Sequence, residues 1–304
     1  MKKYIFNLLM LTLLLGACSD DVNTSRSIFD DDDIEVKNEF DIWLYDNYII
    51  PYNIELQYKF HFMETEFEFE LTPVKFAKGC DFAQIIKYCW LEAYDEVAGS
   101  QFTRETSPKQ ITLIGGQATS SSATTSTSTL GAAEGGTSVV LYKINGLSDY
   151  SFASIIGYMH VMHHEFSHIL AQKKPMDTAL KQISEEWYMG DEWSNFEEVH
   201  GKDSYYTKGF LTPYSSRNED EDYAEVYSQY LIMTDKQWAD AIAAGNENGA
   251  NGGMLITKKL NIVKDYIREN WGFELDNLRD IVRRRAEKAQ TISYLTFSEE
   301  PIAE

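Results

Sequence analysis

Positive charge is scarce in this chain of 304 residues: 27 lysines and arginines stand against 48 aspartates and glutamates, a formal net charge of −21. That balance argues against a nucleic-acid partner, whose phosphates would repel the surface. It argues equally against electrostatic attachment to an anionic membrane. Cysteine is scarcer still, with three residues. Cys80 and Cys89 have no cluster of histidine or lysine placed to lower a thiol pKa, so neither reads as catalytic. They could pair after export or remain as two buried thiols; Cys89 lies in the apolar-periodic stretch "AQIIKYCWLEAY", and both readings stay open. Internal repeats are absent. The apolar run from Tyr4 to Leu15 is too short to span a bilayer comfortably. What remains, 43% hydrophobic and 13% aromatic residues, is the composition of a globular protein with a sizeable core.

Lys2 and Lys3 followed by that apolar run have the layout of a secretory signal. The run ends in Leu15-Gly16-Ala17-Cys18, which resembles a bacterial lipobox. The expectation is a signal peptide over residues 1–17, a lipid on Cys18 and an acidic tether over 18–35 carrying Asp20, Asp21 and Asp30 to Asp33. The protein would then be lipid-anchored to the bacterial outer membrane and exposed at the cell surface, touching the membrane through its N-terminal lipid only. Residues 36–304 are expected to form a single domain.

Along that domain, Ile54 to Phe60 alternates like a strand within an aromatic, β-branched segment, and residues 73–98 have helical periodicity. "KQITLIGG" and "TSVVLYKIN" read as two strands joined through residues 117–136, a Ser/Thr/Gly-rich hairpin loop. From Ser151 the period becomes helical: Phe152, Ile155, Ile156, Met159, Met162, Phe166, Ile169 and Leu170 recur at three- and four-residue steps. Three more helical regions are expected, 219–243, 258–271 and 275–288, the first two separated by the glycine-rich turn "AGNENGANGGM". Strands early and helices late predict an α+β fold, with a strand-rich part to about residue 150 and a helical C-terminal part.

The long helix carries "YMHVMHHEFSHILAQ", four of the six histidines in the chain. Residues four apart share a helix face, so the imidazoles of His164 and His168 can converge on one cation at the ~2 Å nitrogen distance that zinc prefers. Glu165, one step around the helix, can reach a metal-bound water without being a ligand. Those are the requirements of the HExxH mechanism. His160, His164 and His168 also form an i, i+4, i+8 stripe that could itself be a ligand set, and His163 could be a polar core residue.

A catalytic zinc takes three protein ligands. In the HExxHxxGxxH pattern the third histidine falls on Lys174 and the glycine on Ala171, which excludes the metzincin arrangement. "TPYSSRNEDEDYAEVYSQYL" offers carboxylates instead, and resembles the glutamate helix of gluzincin-type metallopeptidases. That resemblance implies Glu221 as third ligand and Glu225, four residues on, as the carboxylate that orients His164. Glu219 and Asp222 compete for the ligand role, because only the helix phase selects among neighbouring acids. Tyr214, seven residues before Glu221, matches the tyrosine that supports the oxyanion in anthrax-lethal-factor-like gluzincins.

Together the lipobox, the HExxH helix and the tyrosine-glutamate segment resemble the substrate-import-associated zinc metallohydrolase lipoproteins. The resemblance runs from "WLYDNYIIPYNIELQYKF" to the C-terminal helices. It implies a zincin-like fold in which a mixed sheet packs on the active-site helix, and one Zn2+ per chain on His164, His168 and Glu221. It also implies Glu165 as general base, hydrolysis of extracellular peptide, protein or glycoprotein, and SusC/SusD-type import components as partners. Two other readings remain: a non-proteolytic zinc-containing component of an import complex, and an amidohydrolase acting on modified glycans.

Overall fold

Asn38 opens the folded part of the chain, because its side chain accepts from the Asp41 amide while the Asp41 carboxylate takes the Asn38 amide, a reciprocal cap that starts helix α1 (Glu39–Leu44). The computed structural model describes residues 37–59, 69–117, 119–120, 131–134, 137–147, 149–176 and 178–302. The expected signal peptide, Cys18 and acidic tether lie outside these residues, as does much of the Ser/Thr-rich segment. Asn38–Glu304 is one compact unit.

From α1 the chain continues through a π-turn (Tyr45–Ile49) into β1 (Glu55–Gln57), and later β2 (Phe69–Glu70). Helix α2 (Phe76–Ile86) runs through a second π-turn (Lys87–Leu91) into α3 (Glu92–Ala98), and α4 (Ser100–Thr106) follows. Then come β3 (Gln110–Leu113), β4 (Thr119–Ser120), β5 (Gly131–Glu134) and β6 (Ser138–Leu141). The part before residue 150 is therefore richer in helix than in strand among its described residues. Aromatic side chains of the segment that suggested strands line a helical core instead, Phe40 and Tyr48 being fully buried, where they join Trp90 and Tyr94 of the expected helical stretch.

The two central strands were expected to form a hairpin, and they do not. β3 and β6 pair in parallel, Ile111 opposite Val139, in a sheet of order β1-β3-β6-β5. Parallel neighbours need a crossover rather than a turn. The Ser/Thr-rich segment provides it, placing β4 antiparallel to β2 and β5 antiparallel to β6. Burial alternates as the sequence period requires, with Ile111, Leu113, Val139 and Leu141 inward, but a period of two carries no information on strand direction.

The chain leaves β6 through a short 3-10 turn into α5 (Phe152–Lys173), capped by the Ser151 hydroxyl accepting from the Ser154 amide. The back of α5 packs on aromatic rings. Phe166 meets Trp90 at 5.3 Å and Tyr94 at 4.6 Å between ring centroids, edge-to-face contacts that add ~0.5–1.5 kcal/mol each beyond burial. After a run of 3-10 turns and the short helices α6 (Phe196–His200) and α7 (Ser204–Thr207), α8 (Glu219–Ile232) packs on α5.

The helical region expected over 219–243 consists of two helices. α8 ends before Met233, and Thr234 starts α9 (Asp235–Gly245) with a capping box shared with Gln237. The glycine-rich turn is also shorter than expected, since α10 (Gly252–Trp271) begins at Gly252. A Cβ on Gly252 would lie 2.0 Å from the Tyr206 carbonyl oxygen, and one on Gly253 2.2 Å from that of Ile242. These glycines let α10 approach its neighbours and remain helical. α11 (Leu275–Ala289) closes the helical layer. Among the described residues no helix is long and apolar enough to cross a membrane. Cys80 and Cys89 are both free and buried, and burial pushes each thiol up to about 12.

Candidate metal centre

The i, i+4 spacing on α5 does what helix geometry requires. The Nε2 atoms of His164 and His168 face the same way and stand 3.2 Å apart. From α8 a carboxylate oxygen of Glu221, Oε2, completes the triangle at 3.1 Å from His164 Nε2 and 3.2 Å from His168 Nε2. The phase of α8 selects Glu221 from its acidic turn. Asn218 caps that turn, its side chain accepting from the amides of Asp220 and Glu221. Glu219 turns outward to Lys181 at 2.5 Å, while Asp222 turns into the core to Lys259 at 2.7 Å. Both competitors for the third position are thereby committed elsewhere.

Glu225 lies one turn along α8 and accepts from His164 Nδ1 at 2.9 Å. With that nitrogen protonated, a neutral His164 presents its Nε2 lone pair to Glu221 and His168, an arrangement that repels unless a cation lies between them. Donors bound at ~2.0–2.1 Å around a tetrahedral ion sit about 3.3 Å from one another. The separations found here match that, so two imidazoles and one carboxylate fit zinc by chemistry and by spacing. Burial alone would lower His164, but the hydrogen bonds to Glu221 and Glu225 outweigh it and raise it to about 10, so a proton on Nε2 competes with zinc for the position between the donors. Burial would raise Glu221, yet the two histidines pull it well below the usual carboxylate range.

Glu225 is itself fully engaged. Its other oxygen accepts from the Thr212 hydroxyl at 2.9 Å, and His160 Nε2 lies 3.2 Å from the oxygen that holds His164. His160 is therefore one step behind the metal position, partnered with Glu225 and Gln229, and the three-histidine stripe is not a single ligand set. His160, His164 and Glu225 also group closely enough to suggest a cation, but Glu225 already receives the His164 Nδ1 proton there. His163 is fully buried on the opposite face, its Nδ1 against the Tyr94 hydroxyl at 2.9 Å, and burial lowers it to about 3, so it is neutral.

Glu165 lies beside the histidine pair, buried, and burial raises its carboxyl above the usual range. Tyr214 sits in a 3-10 turn (Pro213–Ser216) capped by Thr212, and donates its hydroxyl to Glu221 Oε1 at 2.8 Å. Arg217, which no sequence pattern singled out, donates to the Tyr214 oxygen at 3.2 Å. Trp193 packs edge-on against the Tyr214 ring at 4.8 Å. Thr212 and Lys259 had no spacing signal, since each meets the site through the tertiary fold, whereas Arg217 is local, three residues from Tyr214 and four from Glu221.

The sequence profile of a family described as "putative zinc-binding metallo-peptidase" matches residues 33–276. The chain belongs to this family. The peptidase is also similar to a solved structure, the crystal structure of a "putative zinc-binding metallo-peptidase" from Bacteroides caccae ATCC 43185. The two share 38% sequence identity over 83% of this chain and 93% of that one, with a TM-score of 0.70. No curated protein matches the chain. The α+β fold class and the zinc-peptidase class expected from the sequence are thus borne out by the profile and the neighbour together.

Proposed function

We propose that the peptidase hydrolyses peptide bonds of extracellular protein, peptide or glycoprotein with one zinc ion held by His164, His168 and Glu221. The observation that carries this reading is the triangle of Nε2, Nε2 and Oε2 at 3.1–3.2 Å, with His164 oriented from behind by Glu225. Zinc there would supply Lewis-acid polarisation of the scissile carbonyl and a water of lowered pKa. Glu165, carrying a raised pKa near the ligands, suits a group that takes a proton during attack and returns it to the leaving amine. Tyr214 would turn its hydroxyl from Glu221 to the carbonyl oxygen as charge develops there. Lipid attachment at Cys18, exposure on the outer membrane and association with SusC/SusD-type import components are further parts of this reading. They are supported by residues 1–18 and by the family resemblance.

Metal analysis of the mature protein and of Glu165→Gln, together with cleavage of a broad peptide library, tests the proposal. One zinc per chain in both proteins, with cleavage by the wild type alone, is the expected result. Wild type that holds zinc yet cuts nothing, where a known zinc peptidase cuts under the same conditions, would instead favour a non-proteolytic binding component.

A further inference from the structure

Beneath the first turn of α8 lies a charged pair with no solvent exposure. Lys259 of α10 and Asp222 are both 0% exposed, with Nζ 2.7 Å from Asp222 Oδ2. The same ammonium donates to the Gly209 carbonyl at 2.7 Å and sits 4.3 Å over the Phe210 ring. Tyr188 donates to Asp222 Oδ2 at 2.9 Å, while Asp222 Oδ1 has no hydrogen-bond partner among the described residues. A fully buried ion pair is a poor source of stability: well-packed apolar residues of similar volume often do as well or better. This pair, with one oxygen unsatisfied, is costlier than most.

Two segments meet at that ammonium, and each leads directly to the metal centre. Asp222 follows Glu221 in α8, so gripping it fixes the rotation of the first turn and the direction in which Glu221 points. Gly209 lies three residues before Thr212, whose hydroxyl donates to Glu225, and Glu225 in turn holds His164 Nδ1. We propose that Lys259 is a positioning residue of the metal centre, clamping Asp222 and Gly209 so that Glu221 and the Thr212–Glu225–His164 chain stay in zinc-ready register. The inference rests on Glu221 being a ligand.

Zinc affinity is the readout, measured by competition with a chromophoric chelator on wild type, Asp222→Leu/Lys259→Met, Asp222→Asn and Glu221→Gln. Urea unfolding of the zinc-free proteins runs alongside. The double variant should be about as stable as wild type without zinc, yet bind zinc at least about tenfold more weakly, with a shifted cobalt(II) absorption spectrum. Asp222→Asn, which keeps the shape and a polar contact to Lys259, should fold and weaken zinc binding by a smaller factor. If the double variant fails to fold, Asp222→Asn decides. Wild-type zinc affinity in whichever variant is folded overturns the clamp. Unchanged affinity in Glu221→Gln instead overturns the ligand assignment beneath it.

Discussion

Glu165 and His168 differ by three positions and by what their removal should do. Glu165→Gln keeps shape and burial but cannot carry the proton, so cleavage should fall by about 10²–10⁴ in kcat while zinc content stays at wild-type level; kinetics paired with metal analysis reads both. Glu225→Gln acts at the next remove. It weakens the acceptor of His164 Nδ1, an interaction 2.9 Å long, and zinc affinity should drop about 10–100-fold, measured by chelator competition. A Glu225→Gln protein that binds zinc like wild type would show that His164 needs no orientation from behind. His164, Glu165 and His168 were legible in the sequence because a helix converts spacing into direction without help from the rest of the fold. Glu221 was legible only as one of several acids. Its neighbours Glu219 and Asp222 are disqualified by Lys181 and Lys259, partners 38 and 37 positions away whose placement no local pattern encodes.

At the scale of elements, the long histidine helix could be read from its apolar period, whereas boundaries that depend on packing could not. α10 begins six residues earlier than its apolar pattern suggests because glycine, a turn signal in isolation, here permits close approach. Gly252→Ala should therefore destabilise rather than strengthen the helix, despite the better propensity of alanine. Its Cβ would fall 2.0 Å from a backbone oxygen that cannot rotate away. The expected cost is ~1–3 kcal/mol in urea unfolding, and a gain in stability would refute the packing argument. The end of α8 was missed for a related reason: apolar residues continue across Met233, and only the Thr234–Gln237 capping box marks the break. The sheet shows the same limit, since alternation identified both strands of the β3–β6 pair but not their parallel direction.

For the whole molecule the metal should be a structural element as well as a catalytic one. On the proposed ligand set the three donors come from α5 and α8, helices that pack on each other, so zinc would cross-link the two and bind the folded chain in preference to the unfolded one. At free zinc a hundredfold above the dissociation constant, that preference contributes about 2.7 kcal/mol. In a chain of this size it corresponds to a thermal midpoint about 4–5 °C higher than after chelation. The net charge of −21 complicates the measurement, because self-repulsion destabilises the compact state and added salt relieves it in loaded and stripped protein alike. Scans with and without chelator at one fixed ionic strength separate the two effects. His168→Ala should then show little chelator-dependent shift, having lost one of the three donors. A shift in His168→Ala as large as in wild type would place the stabilising metal somewhere other than between α5 and α8.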